Sequence, residues 1–165
     1  MKTEEEMLQR LAAVCAGKEC CLQELREKLI KAELPEEACE RVLAKLQEMR
    51  FVDEARYARS FVNDKFRFNH WGRIKINYAL SQKGIPAAVR QSALEAIDES
   101  AYREQLVDLL RSKLRTLHAR NAYELIQKLL RFASSRGFES ALILDCARSL
   151  LNEDVDEALD SFNLE

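Results

Sequence analysis

Aromatic and basic side chains alternate over residues 51–78, a combination that can bind nucleic acid. Seven of the chain's twelve aromatic residues lie in this stretch. Aromatic rings can stack on unpaired bases, and lysine and arginine can neutralise phosphates. The same composition also fits a hydrophobic core with a solvated basic rim, and composition alone favours neither interpretation. The candidate contact residues for a partner or nucleic acid are Arg56, Arg59, Lys65, Arg67, Arg73, Lys75, Ile74 and Tyr78.

The helix that must position Arg73 and Lys75 is predicted from about Trp71 to Lys83, ending at Gly84. Both cations then lie in its first turn, near the surface, where the positive end of the helix dipole favours anions. A preceding helix is predicted to begin sharply after an Asp53 cap.

Ile74 and Tyr78 lie almost opposite the predicted inward face of the same helix, which carries Ile76 and Leu80. Polar residues occupy the equivalent positions elsewhere in the chain. Packing against a neighbouring structural unit is the favoured explanation of this apolar pair, and contact with a partner protein is the alternative.

The charge is uneven along the chain, although the whole carries a formal net charge of only −2. Residues 53–83 hold seven basic and three acidic side chains, a net of +4, whereas residues 151–165 hold six acidic and no basic ones. The sequence therefore predicts a basic middle and an acidic tail, which is interpreted as a frayed helix or solvated coil rather than a docked segment.

No pattern typical of catalysis occurs: there is no glycine-rich phosphate loop, nucleophile elbow or zinc-protease helix. We therefore predict a non-enzymatic protein without a cofactor or bound metal. No signal peptide or membrane-spanning run is recognisable, which predicts a cytoplasmic location. The odd number of cysteines then favours reduced thiols: Cys15, Cys20, Cys21, Cys39 and Cys146.

The fold is predicted to be all-α, because glycine and proline are few and no long alternation of apolar and polar residues occurs. A shift of 51 residues superposes Pro35 on Pro86 together with six apolar positions, and a further shift of 53 superposes Gly84 on Gly137. About nine helices should therefore form an elongated array of three tandem three-helix repeats. The predicted boundaries are 1–52, 53–98 and 99–151, followed by an acidic tail at 152–165. The residues predicted to be buried are Leu25, Leu29, Ile76, Leu80, Leu129 and Leu142.

Two segments of the middle repeat, FVDEARYARSFVNDKF and WGRIKINYALSQKGI, resemble the RecX family of bacterial recombination regulators. The resemblance is specific here, and the helix triplets extend it over residues 1–151. One departure is that Arg73 directly follows Gly72, where many members insert a proline. The residues that match the family pattern are Asp53-Glu54, Tyr57, Ala58-Arg59-Ser60, Phe61, Gly72-Arg73-Ile74-Lys75 and Lys83-Gly84-Ile85.

The resemblance implies a protein, expected to be a monomer, that binds the RecA recombinase filament on single-stranded DNA. It also implies negative modulation of the recombination and ATPase activities of that filament. Two alternatives stay open. One is a helix-turn-helix regulator of duplex DNA, for which the predicted recognition helix offers only Arg90 and Gln91 near its start. The other is a protein-interaction scaffold that does not bind nucleic acid.

Overall fold

The computed structural model describes the backbone of residues 2–162 and the side chains of residues 2–152. Nine α-helices and no strand occur within the described backbone. Their bounds are α1 Glu4–Gly17, α2 Leu22–Lys31, α3 Glu36–Glu48, α4 Glu54–Arg67, α5 Arg73–Gln82, α6 Ala87–Glu95, α7 Glu99–Leu114, α8 Ala122–Ser135 and α9 Ser140–Phe162. The predicted all-α fold of three helix triplets is confirmed. Over residues 2–162, no helix combines the length and apolarity needed to cross a bilayer.

Side-chain caps fix where several helices begin. Asp53 Oδ1 accepts the backbone N–H of Arg56 at 3.1 Å, as predicted for the start of α4. Asp98 Oδ2 accepts the N–H of Ala101 at 2.9 Å at the start of α7. Such caps satisfy N–H groups that have no partner within the helix, so they set the helix start in the sequence.

The repeat is visible in the turn that follows the second helix of each triplet. Glu33, Gly84 and Gly137 occupy this turn with positive φ angles of 63°, 74° and 93°. The residue after each of them donates its N–H back to the helix, in Leu34 to Leu29, Ile85 to Leu80 and Phe138 to Ala133, at 3.2–3.3 Å. The 51- and 53-residue shifts therefore align equivalent backbone positions as well as equivalent side chains.

The chain divides into two compact units. The first comprises the residues up to 64 together with 77–96. In this unit the start of α2 contacts the turn between α5 and α6: Gln23 Nε2 donates to Gln82 O at 3.0 Å, and Glu24 lies 3.2 Å from Lys83 Nζ. Its main core consists of Met7, Leu11, Cys20, Leu25, Leu29, Cys39, Val42, Leu43, Leu46 and Val52.

The second unit comprises residues 65–76 together with those from 97 onward. It holds the end of α4, the start of α5 and helices α7–α9. Tyr102 is fully buried at its centre, and its ring centroid lies 5.1 Å from that of Phe138. The other buried core residues are Leu106, Leu110, Leu129, Ala133, Ile143, Cys146, Ala147 and Leu150. The predicted repeat boundaries stay a prediction.

Five of the six residues predicted to be buried are buried, but the prediction for Leu142 is wrong. Leu142 is half-buried, and its neighbour Ile143 is fully buried. Helix α9 turns Ile143, Ala147 and Leu150 inward, a helical spacing that leaves Leu142 at the edge of the buried face. The backbone of α9 continues to Phe162, whereas the side chains from 153 onward, and with them the predicted solvation of the tail, lie outside the described residues.

Candidate functional site

The start of α5 is fastened to the turn between α8 and α9 by close backbone contact. Gly72 N donates to Arg136 O at 2.7 Å, and Ile74 N donates to Gly137 O at 2.9 Å. A Cβ atom on Gly72 would lie 2.4 Å from the carbonyl carbon of Gly137, closer than side chains tolerate. Glycine is therefore required at position 72 because the two backbones touch.

Arg73 is half-buried in the second unit, and its charge is engaged by carboxylates. Its side chain is 22% exposed and pairs with Glu139 at 2.9 Å and with Glu99. The guanidinium carbon lies 3.8 Å from the ring centroid of Tyr102. What the sequence did not predict is that two carboxylates distant in sequence engage this guanidinium.

Tyr102 completes this enclosed cluster. Its hydroxyl accepts the backbone N–H of Arg73 at 3.0 Å and donates to Glu139. Burial, followed by the bond to Glu139, raises the pKa of Tyr102 above its ordinary value, so the phenol stays protonated and can donate. Because the N–H groups of Gly72, Arg73 and Ile74 already have partners, the predicted anion site at this helix start is wrong.

The loop between α4 and α5 presents Trp71 between two lysines. Lys65 Nζ lies 4.8 Å and Lys75 Nζ 4.6 Å from the ring centroid of Trp71. Both distances fall within the range of cation–π attraction. Trp71 N also donates to Lys65 O at 3.0 Å, so backbone and side-chain contacts position the ring together. We call Lys65, Trp71 and Lys75 the tryptophan–lysine cluster.

Helix α7 supports the same loop. Gln105 Nε2 donates to Phe66 O at 2.5 Å and lies 2.6 Å from His70 Nδ1. These contacts leave Phe68 at the outside of the loop with 75% of its surface exposed, and Arg67 beside it is exposed as well. The tryptophan–lysine cluster thus lies near an exposed aromatic ring and a further cation, a set that can contact bases and phosphates.

Arg56 and Arg59 differ from these cations because both lie in the first unit. Arg56 Nε contacts Glu19 Oε1 at 2.6 Å, and its terminal nitrogens donate to the carbonyl oxygens of Arg50 and Phe51 at 3.2–3.3 Å. These bonds hold the junction between α3 and α4, so Arg56 has a structural role. Arg59 is exposed and lines a shallow groove with Ala55, Ala88, Val89, Ser92 and Ala93.

The apolar pair of α5 is exposed. Ile74 has 56% and Tyr78 65% of its surface accessible. They lie one turn apart on the same side of the helix. Packing between repeats and contact with a partner protein both stay predictions for this pair.

The helix-turn-helix alternative requires Arg90 and Gln91 of α6 to contact base edges, but both side chains form hydrogen bonds within the protein. Arg90 Nε donates to Asn77 Oδ1 at 2.9 Å, and Arg90 also donates to Ile85 O at 2.6 Å. Gln91 Nε2 donates to Glu95 Oε1 at 3.0 Å. Both side chains are engaged within the protein, so this helix offers little to read base edges.

Sequence reasoning missed two features of the second unit. Phe68 was not included among the candidate contact residues, although its position between Arg67 and a polar loop is a signal of exposure. The second is a basic stretch at residues 111–136. A count over the longer segment 84–150 gives ten basic and eight acidic side chains, because acidic residues flank the stretch, and so hides it. Charge counted over shorter windows reveals it.

The cysteines are free thiols, four of them buried. Burial raises the pKa of the Cys21 and Cys146 thiols, and burial with the neighbouring Cys20 raises that of Cys15 to about 12. Among the side chains that the structure describes, no group of three or more His, Cys, Asp or Glu residues could hold a metal ion.

Family models match two parts of the chain. The model described as the second three-helix domain of RecX covers residues 53–94, and that of the third three-helix domain covers residues 101–146. Crystal structures titled as RecX share the fold. The structure from Lactobacillus salivarius has a TM-score of 0.79 and 19% sequence identity, and the match covers 89% of this chain and 96% of that one. A second RecX structure has a TM-score of 0.75 and 23% identity, and the match covers 84% of this chain and 68% of that one.

Curated relatives named regulatory protein RecX give the same result. The protein from Chlorobaculum tepidum is 31% identical over 139 residues, which cover 84% of each chain. The protein from Clostridium botulinum strain Alaska E43 is 32% identical over 79% of this chain and 61% of its own length. The chain thus spans only about three fifths of the clostridial relatives it matches.

Proposed function

The chain belongs to the RecX family, and from this premise we propose that it binds the RecA recombinase filament on single-stranded DNA and negatively modulates its recombination and ATPase activities. The observation that carries the proposal is the tryptophan–lysine cluster beside exposed Arg67 and Phe68. Paired cations and aromatic rings suit a partner made of protein and nucleic acid, since they can contact phosphates, bases and carboxylates alike.

The exposed apolar pair of α5 supports a protein component in this partner. Ile74 and Tyr78 follow the tryptophan–lysine cluster along the chain, and Lys75 lies between them in sequence. Apolar and aromatic residues at the centre of a protein interface often carry much of its affinity. We assign this pair to the recombinase and the cations to the anionic surface of the filament. Inhibition then follows if the protein favours an inactive filament state over the active one.

The test compares binding to bare duplex, bare single strand and recombinase-coated single strand by gel shift, alongside inhibition of DNA-strand exchange. We expect tightest binding to the coated strand. The variant R67E/K75E should bind the coated strand several-fold more weakly and inhibit less, because two cations are replaced by anions next to an anionic surface.

The matched control is K28E/K31E, which makes the same charge change at exposed lysines of α2 in the first repeat. It should inhibit like the wild type. Equal inhibition by both double variants would remove the cluster from the interface, and binding to bare duplex without any recombinase preference would instead favour a duplex-binding regulator.

A further inference from the structure

A second basic stretch of the chain lies outside the candidate contact residues. Residues 111–136 contain seven basic side chains and one acidic side chain, a net of +6. This stretch runs from the end of α7 to just beyond α8, and we call it the α7–α8 basic surface. Its cations are Arg111, Lys113, Arg115, Arg120, Lys128, Arg131 and Arg136.

The single carboxylate of this surface is engaged within it. Glu124 Oε2 accepts the backbone N–H of Arg120 at 3.2 Å, and Glu124 Oε1 lies 3.3 Å from Lys128 Nζ. Lys128 Nζ also donates to His118 O at 2.5 Å. These contacts fix the connection between α7 and α8.

Three arginines of the surface are exposed: Arg115, Arg120 and Arg131. Among the side chains of residues 2–152, none of these three guanidinium groups forms an ion pair. Exposed cations of one stretch of chain that have no carboxylate partner attract an anionic ligand. The surface is therefore complementary to a polyanion.

An exposed aromatic ring lies in the same stretch of chain as these arginines. Tyr123, in the first turn of α8, has 75% of its surface accessible. Tyr123, Gln127 and Arg131 recur every four residues, so they line one side of α8 over about 12 Å. At the other end of the helix, the ring centroid of Phe132 lies 4.8 Å from Lys113 Nζ and 5.3 Å from the guanidinium carbon of Arg136.

We propose that the α7–α8 basic surface binds single-stranded DNA, with Arg115, Arg120 and Arg131 contacting phosphates and Tyr123 stacking on an unpaired base. An acidic protein would satisfy the arginines but would leave Tyr123 without a planar partner. Duplex DNA has phosphates in abundance, yet its bases are already stacked. A single strand offers both features. The inference concerns the bare strand and does not depend on the recombinase, so it stands apart from the proposed function.

The test measures fluorescence anisotropy of labelled oligothymidylate with the full chain across a salt series. R120E/R131E should weaken binding about tenfold or more at low salt. Losing two phosphate contacts should also make the slope of log K against log[salt] less negative by about 1.4, because each single-strand contact contributes about 0.7. The control K28E/K31E should keep the wild-type slope.

Tyr123 provides the second, independent variant. Y123A should weaken single-strand binding about fivefold or more with an unchanged salt slope, because it removes stacking and no charge. Y123F should bind like the wild type. Affinity for duplex DNA should be equal in all three proteins. Circular dichroism and thermal melting establish that each variant is folded.

Several results would overturn the inference. One is that R120E/R131E or Y123A binds the single strand with wild-type affinity. Another is that Y123A loses single-strand and duplex binding equally. A third is that the wild type has no measurable affinity for the bare strand at low salt. Strand-exchange assays keep the two proposals separate. Variants that lose bare-strand binding but still inhibit the recombinase support the inference and leave the proposed function intact.

Discussion

Arg73 and Lys75 lie two residues apart in α5, yet their surroundings give them different roles. Arg73 is held between Glu99 and Glu139 above the Tyr102 ring, whereas Lys75 lies over Trp71. A guanidinium can donate to both carboxylates and stack on a ring at once, because it is planar and carries five donors. Arg73 therefore stabilises the second unit, and Lys75 is the one of the two that we propose for contact with a partner.

Replacing Arg73 with glutamate should destabilise the protein. The new carboxylate would face Glu139 and Glu99 in a site where the native side chain is only 22% exposed. The loss of charged hydrogen bonds and the new repulsion should together cost about 2–4 kcal/mol. Denaturant unfolding measures this change.

The control for R73E is R67E, which makes the same charge change at an exposed position in the same unit. Its free energy of unfolding should change by less than about 0.5 kcal/mol. Equal stability of the two variants would show that the ion pairs of Arg73 contribute nothing to the fold.

The raised pKa values of individual cysteines can be tested by measuring how fast their thiols react. The pKa of Cys15 is raised to about 12, and burial raises those of Cys21 and Cys146. Only the thiolate attacks a disulfide reagent, so a raised pKa lowers the reactive fraction at any pH below it. At about pH 8, native protein should react slowly with Ellman's reagent, while reduced, denatured protein should titrate all five thiols. Rapid reaction of Cys15 in the native state would contradict this account.

At the scale of elements, the sequence predicts what depends on local chemistry. Asp53 caps α4 and Gly84 follows α5 with positive φ, because each needs only its near neighbours in the chain. The enclosure of Arg73 could not be predicted, since Glu99 and Glu139 lie 26 and 66 residues away. A related limit applies to Ile74 and Tyr78: helical periodicity identifies a second apolar face without showing what covers it.

The contact between the start of α5 and the α8–α9 turn depends on Gly72. The substitution G72A places a methyl group 2.4 Å from the carbonyl carbon of Gly137, which is backbone and cannot rotate away. We expect a loss of about 1–3 kcal/mol or more from overpacking, measured by thermal or denaturant unfolding.

Gly17 supplies the matched control, because a Cβ there would meet no atom within 4 Å. Gly17 is the last residue of α1, and alanine is the better helix former, so G17A should leave stability unchanged or raise it by up to about 1 kcal/mol. If G72A were as stable as G17A, the close backbone contact would not be a constraint.

At the scale of the whole molecule, charge is arranged by segment although the total is nearly neutral. The formal net charge is −2, but residues 111–136 carry +6, residues 53–83 carry +4 and residues 151–165 carry −6. Such separation allows one chain to attract a polyanion at some surfaces while its total charge stays low. It also suggests a hypothesis: the acidic segment competes with anionic partners for those basic surfaces.

We predict that the acidic tail weakens binding to anionic partners at low salt. The test replaces its six carboxylates with the corresponding amides, which keeps the chain length and removes six negative charges: E153Q, D154N, D156N, E157Q, D160N and E165Q. Single-strand and filament binding should tighten several-fold at low salt and converge with the wild type at high salt, because screening shortens electrostatic reach to about 8–10 Å near physiological ionic strength.

The control makes the same change in net charge at six exposed glutamates of the first repeat: E5Q, E27Q, E33Q, E36Q, E37Q and E48Q. Equal tightening in both variants would mean that net charge alone sets the affinity, and unchanged binding of the tail variant at every salt concentration would show that the tail does not compete.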